Sequence, residues 1–289
     1  MDHMVETQRE VRVVRVRDGR RAPDVDRAAA EEPLEVRLHG RPFAVIMRTP
    51  GADRELTAGF LLAEGVLRSA DDLGTIEHCR DAAEPPGGPQ TGEPRAPAAN
   101  VVNVTLVGRA REALDETLAA RRQVTTNSSC GLCGRLTIES LKAVVEPLRP
   151  EGDAGCVGAS VLVALPDRLR AAQAVFDRTG GLHAAGLFTR RGELDGVAED
   201  VGRHNAVDKV IGRKLMMDAL PLGDRLLFVS GRTSFEIVQK ALLAGIPIVA
   251  AVSAPSSLAI DLAGETGVTL VGFLRGAGFN IYSHPERIA

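Results

Sequence analysis

At 289 residues the chain is long enough to bury a substantial core in one large or two smaller domains, and a hydrophobic fraction of 44% beside a charged fraction of 25% excludes disordered and fibrous classes. A formal net charge of -3 gives no general attraction to nucleic acid or to an anionic membrane, so an anionic ligand would have to be met by local arginines and backbone N–H groups. The longest apolar stretch, Ile246 to Ile260, is broken by Pro247, Pro255 and serines, and Met1 to Arg21 is charged throughout; neither a membrane span nor a signal peptide is indicated, and a cytoplasmic protein is expected.

Residues 1–33 are rich in Arg, Asp, Glu and Ala without convincing periodicity, and read as a loosely ordered tail or loosely attached strand. From Glu35 to Thr49 the sequence alternates apolar and polar on both sides of His39-Gly40, the pattern of a hairpin with a tight turn. ELTAGFLLAEGVL follows as a short amphipathic helix with Leu56, Phe60, Leu61 and Leu67 available to one face. The Pro/Gly-rich segment from Ala82 to Ala99 reads as a loop, Val101 to Val107 as a strand, and Ala110 to Arg122 as a helix. After the stretch TTNSSCGLCGRLTIESL, the residues Leu141, Val144, Val145 and Leu148 recur at helical spacing until Pro147 and Pro150 stop the run.

From Ala159 onward strands and helices alternate. The expected order is strand ASVLVAL, helix Asp167 to Arg178, strands LHAAGLF and LDGVAED around the turn Arg191-Gly192, and a helix from His204 to Ala219. Strand RLLFVSG, helix Ser234 to Leu243, strand IPIVAAV, helix Ser256 to Glu265 and strand VTLVGFL complete it. Such alternation implies an α/β arrangement, a largely parallel or mixed sheet covered by helices on both faces. The domain reading is a tail over 1–33, an N-terminal α+β subdomain over 34–128, a CxxC loop with connecting helix over 129–150, and a C-terminal domain over 151–289.

Cys130 and Cys133 sit at or just before a predicted helix N-terminus, where the dipole and free N–H groups favour thiolate over thiol. Gly131 and Gly134 leave room for a partner's sulfur to approach. A structural zinc knuckle needs about four ligands, and Cys156, His78 and His183 are only scattered singles. A redox pair stays open, although the motif does not follow an early strand of a βαβ unit.

Downstream, TGGLHAAGLF places Gly180 and Gly181 before His183, a spacing shared with half of the zinc deaminase signature; Ala185 stands where that signature has its Glu, and a core histidine is the alternative reading. AEDVGRHNAVDKVIGRK gathers Arg203, His204 and Asn205 with Glu199, Asp200, Asp208 and Lys209 at a strand-to-helix junction, where open α/β sheets bind ligands. Two Ser/Gly-rich turns entering helices, Ser230-Gly231-Arg232-Thr233-Ser234 and Ser253 to Ser257, make two candidate anion cradles. No G-x-x-x-x-G-K-[ST] and no G-x-G-x-x-G is present, which disfavours nucleotide hydrolysis and a dinucleotide fingerprint.

In this order EEPLEVRLHGRPFAVIMRTPG, TNSSCGLCG, TGGLHAAGLF, EDVGRHNAVDKVIG, SGRTSFEIVQKALLAGIPIVAAVSAPSSLAIDLA and GFLRG with NIYSHPERI resemble the formate dehydrogenase accessory sulfurtransferases, the FdhD family, from about Glu32 to Ile288. The resemblance implies a C-terminal cytidine-deaminase-like three-layer α/β/α domain with a mixed sheet, without that family's zinc site, beside a smaller N-terminal α+β portion. It implies a sulfurtransferase that takes persulfide sulfur from a cysteine desulfurase and passes it to the molybdenum or tungsten bis(molybdopterin guanine dinucleotide) cofactor destined for formate dehydrogenase. Cys130 would hold the persulfide and Cys133 would assist relay or resolution. Phe273, Leu274, Arg275, Gly276, Ala277 and Gly278 would contribute to cofactor binding, with Gly180, Gly181, His183, Arg203, His204, Asn205, Ser230, Gly231, Arg232 and Ser253 around it. A guanine nucleotide would mimic the cofactor, a homodimer would suit its two nucleotide arms, and no zinc is expected. The rival from another class is a cofactor-binding chaperone whose cysteines only grip the cofactor.

Overall fold

The computed structural model describes residues 6–79, 100–122, 145–149 and 156–289. Strands β1 (Gln8–Arg17) and β2 (Arg20–Ala29) form an antiparallel hairpin in register from Gln8↔Ala29 to Arg17↔Arg20, a two-stranded sheet of its own. This corrects the loose-tail reading of 1–33. The alternation is present in VRVVRVR, but charges fill the places where a core-facing strand carries apolar residues. The turn Asp18-Gly19, both at positive φ, supplies the hairpin signal.

β3 (Glu32–Leu38) and β4 (Arg41–Arg48) pair around His39 and Gly40, both at positive φ, as the sequence pattern predicts. With β5 (Leu73–His78) and β6 (Val101–Leu106) they form a four-stranded sheet in the order β4-β3-β6-β5, with β3 and β6 parallel. α1 (Asp53–Ala63) lies between β4 and β5, and the helix expected over Ala110 to Arg122 is two, α2 (Gly108–Glu112) and α3 (Leu114–Arg122). The expected loop at 82–99 lies outside the described residues. Buried Arg48 donates to both carboxylate oxygens of Asp53 at 3.0 and 2.9 Å, its Nη2 also donates to Asn100 at 2.8 Å, and the Glu32 carboxylate lies farther off at 3.6 Å. This bidentate pair ties the end of β4 to the start of α1.

The C-terminal half opens on a helix, α4 (Ala159–Ala171), where the strand ASVLVAL is expected. The run contains seven uncharged residues in a row, which fits a buried strand or a helix alike. The face decides it: Leu162, Leu165 and Leu169, at helical spacing, are all buried against the sheet. After a single turn, α5 (Phe176–Thr179), come β7 (His183–Thr189), β8 (Leu194–Asp200), α6 (Arg203–Met216), β9 (Arg225–Val229), α7 (Phe235–Leu243), β10 (Ile248–Ala251), α8 (Ser257–Thr266), β11 (Thr269–Arg275) and β12 (Gly278–Ser283). The six-stranded sheet runs β12-β11-β10-β9-β7-β8; β9, β10 and β11 are parallel, whereas β7, β8 and β12 pair antiparallel with their neighbours.

Strand alternation divides this sheet between two cores. Leu226, Phe228, Ile248 and Ala250 face α4, and Leu227, Val229, Val249 and Ala251 face α6, α7 and α8. The mixed-sheet, three-layer α/β/α arrangement expected of the C-terminal half is therefore present. The second of these cores is continuous with the N-terminal sheet, because Leu34, Val36, Leu56 and Leu61 belong to the same cluster as Val207, Ile211 and Leu227.

The junction between the halves is the crossing of α1 and α6. A Cβ on Gly59 would overlap the backbone carbonyl of Asp208, and one on Gly212 would overlap the carbonyl of Glu55, so the helix axes approach as closely as they do only because both residues are glycine. Replacing Gly212 by Ala is expected to destabilise the protein by about 1–3 kcal/mol or more through overpacking. In an open helix the same change gains about 1 kcal/mol. Urea denaturation reads the sign, and a stabilised variant contradicts the close crossing.

Candidate functional site

The site is built on the carboxyl ends of β9 and β10. Each strand runs into a serine-rich turn and then a helix, with Ser234 at the N-cap of α7 and Ser256 at that of α8. Ser256 caps in the usual way, its Oγ accepting from Ala259 N at 3.3 Å. The two turns are locked together: Thr233 N donates to Ala254 O at 3.3 Å, and Ser256 N donates to Thr233 O at 2.9 Å. Ser230 donates its backbone N–H to Ala184 O at 3.0 Å while its Oγ accepts from Ala184 N at 2.9 Å, which fixes the start of β7 against the end of β9.

His183 and Gly231 meet at this junction. A Cβ on Gly231 would lie 3.3 Å from His183 Nδ1 and 3.7 Å from Arg203 Cδ, so the glycine leaves the imidazole and the arginine close to the turn. Burial holds the His183 imidazole below its ordinary pKa, and Arg203 and Arg232 act in the same direction. His204 is lowered further, to about 4, by burial and by the Lys240 and Arg203 charges; its Nε2 is 2.9 Å from Ser234 Oγ. Two donors in this region are buried without a hydrogen-bond partner among the described residues, Arg203 Nε and the hydroxyl of Thr233. Unmet buried donors beside two helix starts suit an anionic oxygen.

A cleft of about 630 Å³ opens from this polar end along α4. His183, Ser230, Gly180 and Gly181 line one part, and Leu169, Phe176, Leu182, Phe228 and Val252 give it an apolar wall. Gln173, Asp167 and Arg170 also line it. None of these three is singled out by the sequence reading; the only cue is a polar QAVFDRTGG segment next to the double glycine.

The segment Phe273 to Gly278 spans the end of β11, the turn Gly276-Ala277 and the first residue of β12. Phe273 adopts φ 54 and donates its N–H to Ser253 O at 3.2 Å, which brings Ser253 and Phe273 together at the second serine turn. Gly272 makes this possible, since a Cβ there would be 2.9 Å from Pro255 Cδ. The Arg275 guanidinium lies 5.3 Å from the centre of the Phe273 ring. Gly276, Ala277 and Gly278 are exposed at the tip, whereas Leu274 is fully buried in the core and holds the turn from beneath.

The polar residues of 199–209 divide between two tasks. Asp200, fully buried, pairs with Lys209 Nζ at 2.7 Å and accepts from Thr49 N at 3.1 Å, Gly202 N at 2.8 Å and Asn205 Nδ2 at 2.9 Å. Lys209 also donates to Thr49 O at 2.9 Å, and Asn205 to Met47 O at 2.8 Å. These groups clamp the end of β4 onto α6, so Asn205 belongs to the joint, while Arg203 and His204 face the serine turn. Lys240 and Asp208 form a second buried pair at 2.6 Å, in which burial raises Asp208 to about 6 against the pull of Lys240.

Cys130 and Cys133 lie outside the described residues, as does the start of the helix expected after them. The chain returns at 145–149, where Leu148 N donates to Thr266 O at 2.9 Å and Arg287 Nη2 donates to Leu148 O at 2.9 Å. A Cβ on Gly267 would overlap Leu148, so this anchor at the end of α8 depends on a glycine at φ 78. Among the described residues no group of His, Cys, Asp and Glu is placed to hold a metal ion, and no helix is long and apolar enough to cross a membrane.

A family model described as the FdhD/NarQ family matches residues 29–289. A protein of Streptomyces avermitilis described as sulfur carrier protein FdhD is 51% identical over 285 residues, covering 96% of this chain and 94% of that protein. One of Mycobacterium tuberculosis with the same description is 51% identical over 260 residues, covering 90% and 91%. A crystal structure from Desulfotalea psychrophila, described as that of a candidate formate dehydrogenase accessory protein, superimposes with a TM-score of 0.72 at 26% identity, covering 98% of this chain and 100% of the other.

With His204 held at about 4, its imidazole is neutral at neutral pH, and a bound anion raises its proton affinity. An NMR titration of the ligand-free protein is expected to show no His204 midpoint near the ordinary imidazole value, and added pyrophosphate is expected to move the midpoint upward.

Proposed function

Because the chain belongs to the FdhD/NarQ family, we propose that it is a sulfurtransferase of formate dehydrogenase maturation, working in the cytoplasm as a homodimer. The observation that carries the reading is the near-complete match to relatives described as sulfur carriers, with TNSSCGLCG present at Thr126 to Gly134. The donor is a cysteine desulfurase carrying a persulfide. The Cys130 thiolate attacks the outer, sulfane sulfur; the donor's S–S bond breaks, its cysteine leaves as a thiolate, and Cys130 keeps the outer sulfur as a persulfide.

The acceptor substrate is the molybdenum bis(molybdopterin guanine dinucleotide) cofactor, before it enters formate dehydrogenase. Attack of Cys133 thiolate on the inner sulfur of Cys130 forms a Cys130–Cys133 disulfide and releases the outer sulfur as hydrosulfide, so the sulfane sulfur gains the two electrons that the cysteines lose. A dithiol reductant resets the pair. The fold supports this substrate: the cleft can take a planar base, and the two serine turns, Arg203, Arg232 and the unmet hydroxyl of Thr233 suit its phosphates. Phe273 and Arg275 extend that polar end along the β11–β12 turn.

Incubation with a cysteine desulfurase and cysteine, followed by intact mass spectrometry, is expected to show a gain of one sulfur on the wild type and none on Cys130→Ala. No gain on either protein, with guanine nucleotide binding intact, would leave a cofactor-binding chaperone in place of the transferase.

A further inference from the structure

The β1–β2 hairpin is seated at its base and bare along its length. Ala30 N donates to Thr7 O at 2.9 Å, and a Cβ on Gly181 would lie 3.6 Å from Ala29 Cβ, which rests the base on the turn after α5. From Arg20 to Arg27 every residue of β2 is exposed, so this length of strand has no core beneath it. A two-stranded hairpin is marginally stable on its own in water, and paired strands of ten residues extend about 30 Å. The two faces of the hairpin differ. On one, Arg15 is neutralised by Asp24 at 3.0 Å and Asp26 at 3.9 Å. The other sets Val14 opposite Pro23, Val25 opposite Arg12 and Val16 opposite Arg21. Its three valines are 54–61% exposed, and neither Arg12 nor Arg21 makes an ion pair among the described residues.

We infer that the valine face of the hairpin is a docking arm for a second copy of this chain, laid on the outer face of that copy's α8. The assignment rests on the homodimer reading above and adds to it the contact that makes the dimer. Charge points to the chain itself as the occupant. Gln8 to Ala29 holds seven arginines against four carboxylates, a surplus of three in a chain of net charge -3, so the remainder carries -6. Two arms therefore repel each other, whereas arm and body attract. Within the body, α8 matches the arm best. Leu258, 41% exposed, shares a helix face with exposed Asp261 and Glu265, three and seven residues further on. No Lys or Arg occurs from Ser253 to Leu274, whereas the exposed Val107 and Met217 have Arg109 and Lys214 within three residues of them. The arm's valines then cover Leu258 while Arg12 and Arg21 meet the two carboxylates, and a two-fold exchange of arms makes the contact twice.

Sedimentation velocity of the full chain tests this contact. The wild type is expected to form a dimer that loosens as salt is raised. Val14→Thr with Val25→Thr keeps branched side chains that favour a strand and removes apolar surface, and is expected to weaken the dimer about tenfold. Arg12→Glu with Arg21→Glu is expected to weaken it about a hundredfold. Adding Asp261→Arg and Glu265→Arg to that same chain is expected to restore it. Damage to the hairpin fold would not be repaired by charges on another element, so the restoration separates docking from support of the fold. A dimer indifferent to the arm substitutions overturns the inference and leaves the homodimer standing. Arm substitutions that weaken the dimer without restoration by the α8 reversal also overturn it, because the arm then docks elsewhere. A wild type that stays monomeric overturns the homodimer and the arm contact together, and leaves the arm to a different acidic protein. Sulfur uptake on Cys130 is read separately: its absence from all of these proteins sinks the transferase reading and leaves the dimer result untouched.

Discussion

The backbone-to-backbone contact between α1 and α6 is the constraint from which the rest of the molecule follows. With Gly59 against Asp208 and Gly212 against Glu55, the two helices meet without intervening side chains. That approach carries the turn after β4 to the end of β8, where Thr49, Asp200 and Lys209 form a buried network. A buried ion pair is weak evidence for stability, because desolvation offsets much of its attraction. Here both ions also bond backbone groups: Asp200 takes the N–H groups of Thr49 and Gly202, and Lys209 donates to Thr49 O. The network therefore sets position, since a shifted helix would strand two charges in the core. The first turn of α6, which presents Arg203 and His204 to the serine turn, inherits that position.

Two lysines on the interior side of the site are neutralised locally, Lys209 by Asp200 and Lys240 by Asp208. The imidazoles of His183 and His204 are pushed toward the neutral form by burial and by the neighbouring cations. The attraction for an anion at the serine turns thus falls to Arg203, Arg232 and the free N–H groups of the helix starts, with the histidines as neutral hydrogen-bonding groups. The two histidines therefore place no strong proton donor beside these turns.

Much of the fold was legible because its elements carry their own signals. The His39-Gly40 turn, the alternation of β7 and β8, and the parallel strands RLLFV and IVAA each read correctly from local pattern. ASVLVAL did not, since seven uncharged residues carry no period of two and the leucines that mark its helical face continue only at Leu169. The β1–β2 hairpin was hidden by composition: its strands alternate, but Val14, Val16 and Val25 are exposed and charges occupy the remaining places. At the site, a cluster such as EDVGRHNAVDK announces polarity without saying which residues serve the fold. Asp200, Asn205 and Lys209 turned out to clamp the joint, and only three-dimensional pairing separates them from Arg203 and His204. Gln173 escaped notice for the opposite reason. A lone amide in a helix-like stretch looks solvent-facing until burial shows that it is not.

The location of the cleft follows from strand direction. β9, β10 and β11 run parallel, so their carboxyl ends and the turns that follow them collect along one edge of the sheet. β7 is antiparallel to β9, so its first residue, His183, lies at that same edge, with Gly180 and Gly181 immediately before it. The reversal of β7 beside the parallel strands thus brings an N-terminal strand end, with its double glycine, to face two helix starts. The α4 helix covers this edge on the other face of the sheet and closes the apolar side of the cleft through Leu169. An apolar wall and a polar end therefore arise on opposite sides of one strand end. A ligand that fills both must be amphipathic along its length, apolar where it meets Leu169 and Phe228 and polar where it meets His183 and Ser230.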